Sequence, residues 1–398
     1  MKILITTDAY LPMVNGVVTS IQQLSTHLKE LGHEVRILTL SRGLRTYVDG
    51  EVTYLGSVDA DMIYPEARIR LPIINEEVDQ LIEWRPDVIH SQSEFSSYLL
   101  ARRLIHRLDI PIVHTYHTAY EDYTHYFSPS ERLGKKFVAT ASRLFCRQLQ
   151  AVIAPTEKVR KMLESYGVGV EGKNDEENCK VYVVPTGIDP TPFDDRSGRE
   201  AFREKLGITP DTVLMVAVGR LGKEKNYEEV LNYLAQVNDP RVRLLLVGDG
   251  PDRAALEKQA EELMLGDRVI FAGMIPHSEI ASCYTAADLF VCASSSETQG
   301  LTYLEAQAAS LPILCRRDDC LNDVVVDGEN GWQYETFEEF SSHLSDLLDN
   351  DLRKTMGANA RRHMEAHYSA AAFASRVLEI YQEVLDGYIP DESKGENE

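Results

Sequence analysis

Two carboxylates eight residues apart, two cations around a glycine turn and one glycine at a helix start are the side chains whose spacing could do chemistry. Glu297 and Glu305 bracket the run Glu297-Thr298-Gln299-Gly300-Leu301-Thr302-Tyr303-Leu304-Glu305. The apolar stretch Leu289–Ala293 before it reads as a strand and the residues from Leu301 onward as a helix. Glu297 then falls in the loop at the helix entrance, and Glu305 about two turns further on at ~1.5 Å per residue. Among 63 acidic residues a Glu-x7-Glu pair means nothing by itself. A strand, a loop with a glycine that admits close backbone contact, and a helical glutamate together suit sugar hydroxyls at Glu297 and a ribose at Glu305.

Arg220 and Lys225 flank the turn Gly219-Arg220-Leu221-Gly222-Lys223-Glu224-Lys225, directly after the apolar run Val213–Val218. Fixed cations there can stabilise a departing diphosphate without a metal. A solvated basic loop is an equal reading of the turn alone; its place in a very acidic half of the chain favours the functional one. Asn15-Gly16 follows the first strand and opens a helix, where backbone N–H groups can meet a phosphate, although a plain loop glycine fits as well. No GxGxxG is present, which argues against a nicotinamide or flavin dehydrogenase.

These residues need two successive α/β frameworks. Lys2–Thr7, a helical pattern through Val17, Ile21, Leu24, Leu28 and Leu31, and a second strand at Glu34–Leu40 form the opening unit of a parallel, doubly wound sheet. Val88–His90, Ile112–Tyr116, Ala151–Ala154 and Val181–Val184 continue it, with Glu157–Tyr166 helical. A second series, Val213–Val218, Arg243–Val247, Arg268–Ala272, Leu289–Ala293 and Pro312–Cys315, alternates with helices at Tyr227–Val237, Asp252–Leu263 and Ser278–Ala286. Gly187, Pro190 and Pro192 mark the boundary. The expected domains are 1–190 and 191–370, then a C-terminal helix over 371–388 (its pattern running from Tyr368 to Leu385) packing back towards the first domain, and an acidic tail over 389–398. Open parallel sheets bind ligands outside the carboxyl ends of their strands, so the loops after strands should carry function, in a cleft between the domains.

At 398 residues the chain exceeds what one core usually organises. Its net charge of −22 argues against a nucleic-acid partner, whose phosphates demand a basic footprint. The acidity is uneven: residues 1–190 hold 21 Lys and Arg against 25 Asp and Glu, and the remainder 20 against 38. Glu131–Lys161 carries eight basic residues against two acidic ones. Six cysteines lack any CxxC or zinc spacing and suit a reducing compartment. Neither a signal peptide nor a run of about 18 apolar residues is expected, so any membrane would be met from outside.

Asn15-Gly16-Val17, His117, Pro185-Thr186-Gly187-Ile188-Asp189, Gly219-Arg220 with Lys225, Val247-Gly248-Asp249-Gly250-Pro251 and Glu297 to Glu305 together resemble the GT-B glycosyltransferases of CAZy family 4, over nearly the whole chain. The resemblance implies two Rossmann-like doubly wound domains facing across a cleft, and a retaining transfer from a nucleotide sugar. It places Gly16 near the donor phosphates and Arg220 and Lys225 on the diphosphate. Glu297 with the backbone of Gln299, Gly300 and Leu301 would hold the donor sugar, Glu305 the ribose, and the backbone around Met274 and Ile275 the base. Arg220, Lys225, Glu297 and His117 would be the catalytic set, with no metal or other cofactor.

Where the family usually has Glu-Gly-Phe-Gly, this chain has Glu297-Thr298-Gln299-Gly300, which resembles the branch that glucosylates diacylglycerol. The stretch from His117 to Tyr126 agrees, with Tyr120, Asp122, Tyr123 and Tyr126 on the acceptor side. The implied reaction takes UDP-glucose as co-substrate and 1,2-diacylglycerol as acceptor. Phe137, Ala141, Leu144 and Phe145, interleaved with Lys135, Lys136, Arg143 and Arg147, fit a basic amphipathic helix on an anionic membrane, or equally a solvated helix face. The enzyme would then be cytoplasmic and peripheral to the inner face of the cell membrane. A soluble acceptor, addition of a second sugar to a glycolipid, a UDP-sugar epimerase and a non-catalytic sugar-nucleotide binding module are the rival readings.

Overall fold

The computed structural model describes residues 1–13, 15–60, 68–118, 130–170, 179–276, 279–294 and 297–389. The chain divides into two compact units: Met1–Thr186 together with the chain from Ala370, and Gly187–Ser369.

In the first unit β1 (Lys2–Thr6), α1 (Gly16–Glu30), β2 (Glu34–Leu40), β3 (Tyr47–Asp49), β4 (Val52–Leu55), β5 (Val58–Asp59), β6 (Arg68–Ile69) and α2 (Glu76–Trp84) come first. β7 (Val88–Ser91), α3 (Ser96–Leu108), β8 (Ile112–Thr115), α4 (Glu131–Cys146), β9 (Ala151–Ala154), α5 (Glu157–Ser165) and β10 (Lys180–Val183) follow. The main sheet runs β10-β9-β8-β7-β1-β2-β4-β3, parallel except for the hairpin of β3 on β4. From β1 the chain winds one way to β2, and from β7 the other way to β8, so the topological switch lies between β1 and β7. β7, β8 and β9 are buried at every residue, the mark of parallel strands covered on both faces. At the start of α1 the Asn15 side chain accepts the Val18 N–H at 3.0 Å, and Val18, Ile21, Leu24 and Leu28 face the sheet.

The second unit contains α6 (Arg199–Lys205), β11 (Val213–Val218), α7 (Tyr227–Gln236), β12 (Val242–Val247), α8 (Arg253–Glu262), β13 (Val269–Gly273) and α9 (Ile280–Ala286). β14 (Leu289–Cys292), α10 (Leu301–Ala308), β15 (Ile313–Arg316), β16 (Gly331–Tyr334), α11 (Phe337–Asp346) and α12 (Asn350–His367) complete it. Its sheet runs β13-β12-β11-β14-β15-β16, every pair parallel, with the switch between β11 and β14. The last helix, α13 (Ala370–Gly387), leaves this unit for the first. Its Phe373, Ala374, Val377, Ile380, Tyr381 and Val384 share one apolar cluster with Ile3, Ile5, Ile21 and Leu24. Burial stabilises each large apolar side chain there by roughly 1.5–3 kcal/mol. α13 starts two residues after the Tyr368 expected from the pattern, because the Tyr368 carbonyl accepts the Ile188 N–H at 2.8 Å and Ser369 bridges to the same residue. Strands β3 to β6 and β16 were not legible in the sequence. β3 is exposed at all three residues and carries no apolar pattern.

Candidate active site

Both switch points carry the residues with chemical potential, at the carboxyl ends of the strands where open α/β sheets take ligands. In the second unit, the loops after β11 and β12 are stitched by backbone. Gly219 N–H donates to Val247 O (2.9 Å), Leu221 N–H to Asp249 O (2.9 Å) and Asp252 N–H to Leu221 O (3.0 Å). Gly248, at φ 133°, permits this approach: a Cβ there would lie 2.0 Å from the Gly219 carbonyl oxygen. On this platform Lys223–Lys225 form a single 3-10 turn, and α7 starts after Asn226.

The Lys225 ammonium meets Glu297 Oε1 at 2.5 Å, their side chains 22% and 11% exposed. Burial disfavours charge on Lys225, and the Glu297 carboxylate, with Cys292 and Tyr227 adding to it, more than offsets that cost and holds the ammonium above its usual range. Ser294 Oγ donates to Glu224 O at 3.2 Å, tying the loop after β14 to the loop after β11. Gly300 then turns the chain into α10 at φ 75°, where a Cβ would come within 2.7 Å of the Tyr303 ring. It lends no side-chain cap, so the first N–H groups of α10 have none. Arg220 is half-buried and forms no ion pair or side-chain hydrogen bond with a described residue. A strong cation without a counterion, beside a paired one, is an arrangement suited to an anionic ligand.

The first unit gathers polar groups after β1, β7 and β8. His117 Nε2 lies 2.6 Å from Gln92 Oε1, and His114 Nε2 lies 3.3 Å from Glu94 Oε1. Burial pushes the His117 ring down to about 4, with Glu94 opposing and His114 adding, so the ring is neutral at neutral pH. Asp8 accepts the Ser97 N–H at 2.7 Å, and burial raises its carboxyl to about 6. Gln92, Glu94, His114 and Asp8 were not singled out from sequence. The one signal for Gln92, Glu94 and Asp8 was a polar residue following a buried strand, and for His114 a polar residue within one.

Comparison with known proteins accounts for both units. The model described as Glycosyltransferase Family 4 matches residues 14–191, and that described as Glycosyl transferases group 1 matches residues 198–363. An alpha-monoglucosyldiacylglycerol synthase of Streptococcus pneumoniae is 35% identical, over 97% of this chain and 86% of its own length. One from Acholeplasma laidlawii is 31% identical, over 97% of this chain and 98% of its own length. This chain is a family 4 glycosyltransferase. Its fold is GT-B: Anabaena HepE, solved in complex with UDP and glucose, superposes with a TM-score of 0.74 at 18% identity, over 96% of this chain and 100% of that one.

In this glycosyltransferase the remaining expected residues fall as follows. Gly16 is the first, exposed residue of α1. Met274 is exposed after β13, and Ile275 packs on the apolar core of the second unit. Gln299 is buried and Leu301 opens α10. Tyr120, Asp122, Tyr123 and Tyr126 lie outside the described residues. On α4, Leu133, Phe137 and Leu144 are 65%, 67% and 55% exposed, with Lys135, Lys136 and Arg147 exposed beside them and Arg143 half-buried. Phe145 does not belong to that stripe. Eight residues place it about 80° round the helix from Phe137, so it packs inward on Tyr98 (ring centroids 4.1 Å) and His114 (4.7 Å). Leu133 takes its place. No helix of the described residues is long and apolar enough to cross a membrane.

Glu305 accepts a hydrogen bond from the Tyr284 hydroxyl at 2.6 Å. Burial raises its carboxyl from 4.5 to about 7, with the hydroxyl opposing. A carboxyl that holds its proton more tightly folded than unfolded contributes stability fully below about pH 4.5, and that contribution is lost as pH rises through about 7. Glu305→Gln keeps an oxygen for Tyr284 and removes the ionisation. It is expected to stabilise the protein at pH 8 by roughly 3 kcal/mol and to leave it unchanged near pH 4.5. Thermal unfolding of both proteins at the two pH values checks this; an equal difference at both would contradict it.

Proposed function

We propose that this glycosyltransferase moves a glucosyl unit from UDP-glucose to the 3-hydroxyl of 1,2-diacylglycerol, with retention and without a metal. The observation that carries the reading is the match along 97% of the chain to two proteins named for monoglucosyldiacylglycerol synthesis. In this reading Gly16 lies near the donor phosphates, and Arg220 and Lys225 take the diphosphate. Glu297 and the Gln299-Gly300-Leu301 backbone hold the sugar, Glu305 the ribose, and the backbone at Met274 and Ile275 the base. As the bond from sugar C1 to the diphosphate breaks, the acceptor oxygen bonds C1 on the same face. Its proton passes to the departing phosphate oxygen, with His117 beside the sugar.

UDP release from UDP-glucose, with and without diacylglycerol in anionic vesicles, tests the reading. Release that depends on the lipid supports it; release only with a sugar-bearing lipid or a soluble acceptor keeps the family and discards diacylglycerol. Release with no acceptor at all would point to an epimerase or a hydrolase. A chelator is expected to leave the rate unchanged.

The exposed stripe Leu133, Phe137 and Leu144, with Lys135, Lys136, Arg143 and Arg147, serves in this reading to seat the enzyme peripherally on the anionic inner face of the cell membrane. Each cation near such a surface contributes about 1 kcal/mol. The pair Lys135→Glu and Lys136→Glu is therefore expected to weaken vesicle binding at least ~10-fold in co-sedimentation, more at low salt. Unaltered binding would remove α4 from the proposal.

A further inference from the structure

We propose that Gln92 is a positioning residue that fixes His117 in the tautomer protonated on Nε2, so that Nδ1 presents a lone pair and the ring can meet only a hydroxyl or other donor of the substrate. The inference rests on the transfer reaction proposed above. Among the described residues, three histidines sit on or just after β7 and β8, and only one of them has a nitrogen to offer. His90 is fully buried with both nitrogens engaged, Nδ1 with the Tyr381 hydroxyl (2.5 Å) and Nε2 with Thr115 Oγ1 (2.7 Å). His114 is also fully buried, Nε2 facing Glu94 and Nδ1 sealed without a partner. His117 is only half-buried; its Nε2 is taken by Gln92, and its Nδ1 has no hydrogen-bond partner among the described residues and is not sealed.

Gln92 is well built for such a task. It follows β7 at the β1–β7 switch, its N–H donates to Thr6 O at 2.8 Å, and the residue is 3% exposed. An amide oxygen accepts only, so His117 Nε2 must carry the proton. Among the described residues, the charged or titratable groups facing the ring are Glu94 after β7, His114 on β8 and His90 on β7. None hydrogen-bonds Nδ1. The ring stays neutral at working pH, which keeps the lone pair available.

Two readouts on the full-length protein test this. Nitrogen NMR of histidine-labelled protein, with the His117 signal assigned from His117→Asn, reports the tautomer whatever the substrate proves to be. The Nε2-protonated form is expected in wild type and a mixture in Gln92→Leu. Kinetics with UDP-glucose and diacylglycerol vesicles supply the second readout. Gln92→Leu is expected to lower kcat roughly 10–100-fold at every pH, with the donor KM little changed. Gln92→Glu keeps the acceptor and adds a negative charge, which raises the pH at which His117 loses its proton. Its acid limb should move to higher pH, and its rate should recover above that limb. An Nδ1-protonated ring in wild type, a Gln92→Leu rate within twofold of wild type, or no recovery of Gln92→Glu at any pH overturns the inference. If wild type transfers no glucose, the proposed reaction fails, and the tautomer of His117 in wild type and Gln92→Leu still decides the role of Gln92.

Discussion

Replacing Arg220 by alanine is expected to lower kcat roughly 10²–10³-fold while leaving the melting temperature nearly unchanged. Both halves of that expectation come from the same observation. Arg220 is half-buried after β11 and forms no ion pair or side-chain hydrogen bond with a described residue, so its removal orphans no partner. The charge of Lys225, by contrast, is already offset by Glu297 at 2.5 Å. Arg220 therefore brings a half-buried, uncompensated positive charge to this platform, where Lys223 is exposed. A preorganised group aimed at charge that develops in the transition state contributes about 2.7–4 kcal/mol when it is lost. Arg220→Lys should recover only part of the rate, because an ammonium cannot form the planar fork that meets two phosphate oxygens. Steady-state kinetics and thermal unfolding of the three proteins check this. A kcat within tenfold of wild type for Arg220→Ala would remove the residue from the leaving-group site.

Glu297→Ala is expected to destabilise the protein by about 3–5 kcal/mol, as well as abolish transfer. The Lys225 side chain is 22% exposed, and the carboxylate is what holds its charge in place. Removing one member of a largely buried pair leaves the other uncompensated, whereas removing both relieves the cost. Lys225→Met combined with Glu297→Gln should thus unfold at higher denaturant than either single variant, although all three variants lose activity. The double-mutant cycle in urea measures the coupling directly. Additive effects on stability would show the pair to be held by its surroundings rather than by mutual attraction. The result bears on function because a Lys225 pinned by Glu297 gives the loops after β11 and β14 one fixed relation before any ligand arrives.

Much of the candidate site was legible in the sequence because it is contiguous. Glu297, Gly300 and Glu305 lie on one strand–loop–helix segment, and Gly219 to Lys225 directly follow a strand, so position along the chain predicts position at the sheet's carboxyl edge. The apolar runs of β1, β7, β9, β11 and β14 were equally plain, since parallel strands are covered on both faces and need no alternation. β3 and β16 were not, one being exposed throughout and the other holding a glycine and a glutamine among its four residues.

What the sequence determined by itself is the family, the two-domain α/β order and the residues that follow each strand, because these depend on local pattern and motif. Only the tertiary structure decided which of them meet. The ion pair of Lys225 with Glu297 joins residues 72 apart, His117 with Gln92 joins residues 25 apart, and Tyr381 reaches His90 across 291. Phe145 turned inward and Leu133 outward for the same reason: helical spacing gives both a place on the cylinder, but only the neighbouring Tyr98 and His114 determine which face is covered. Strand order, not sequence distance, brings the loops after β11 and β14 side by side. Burial then sets the charge each carries, raising Glu305 and lowering His117, because desolvation is a property of packing rather than of the chain.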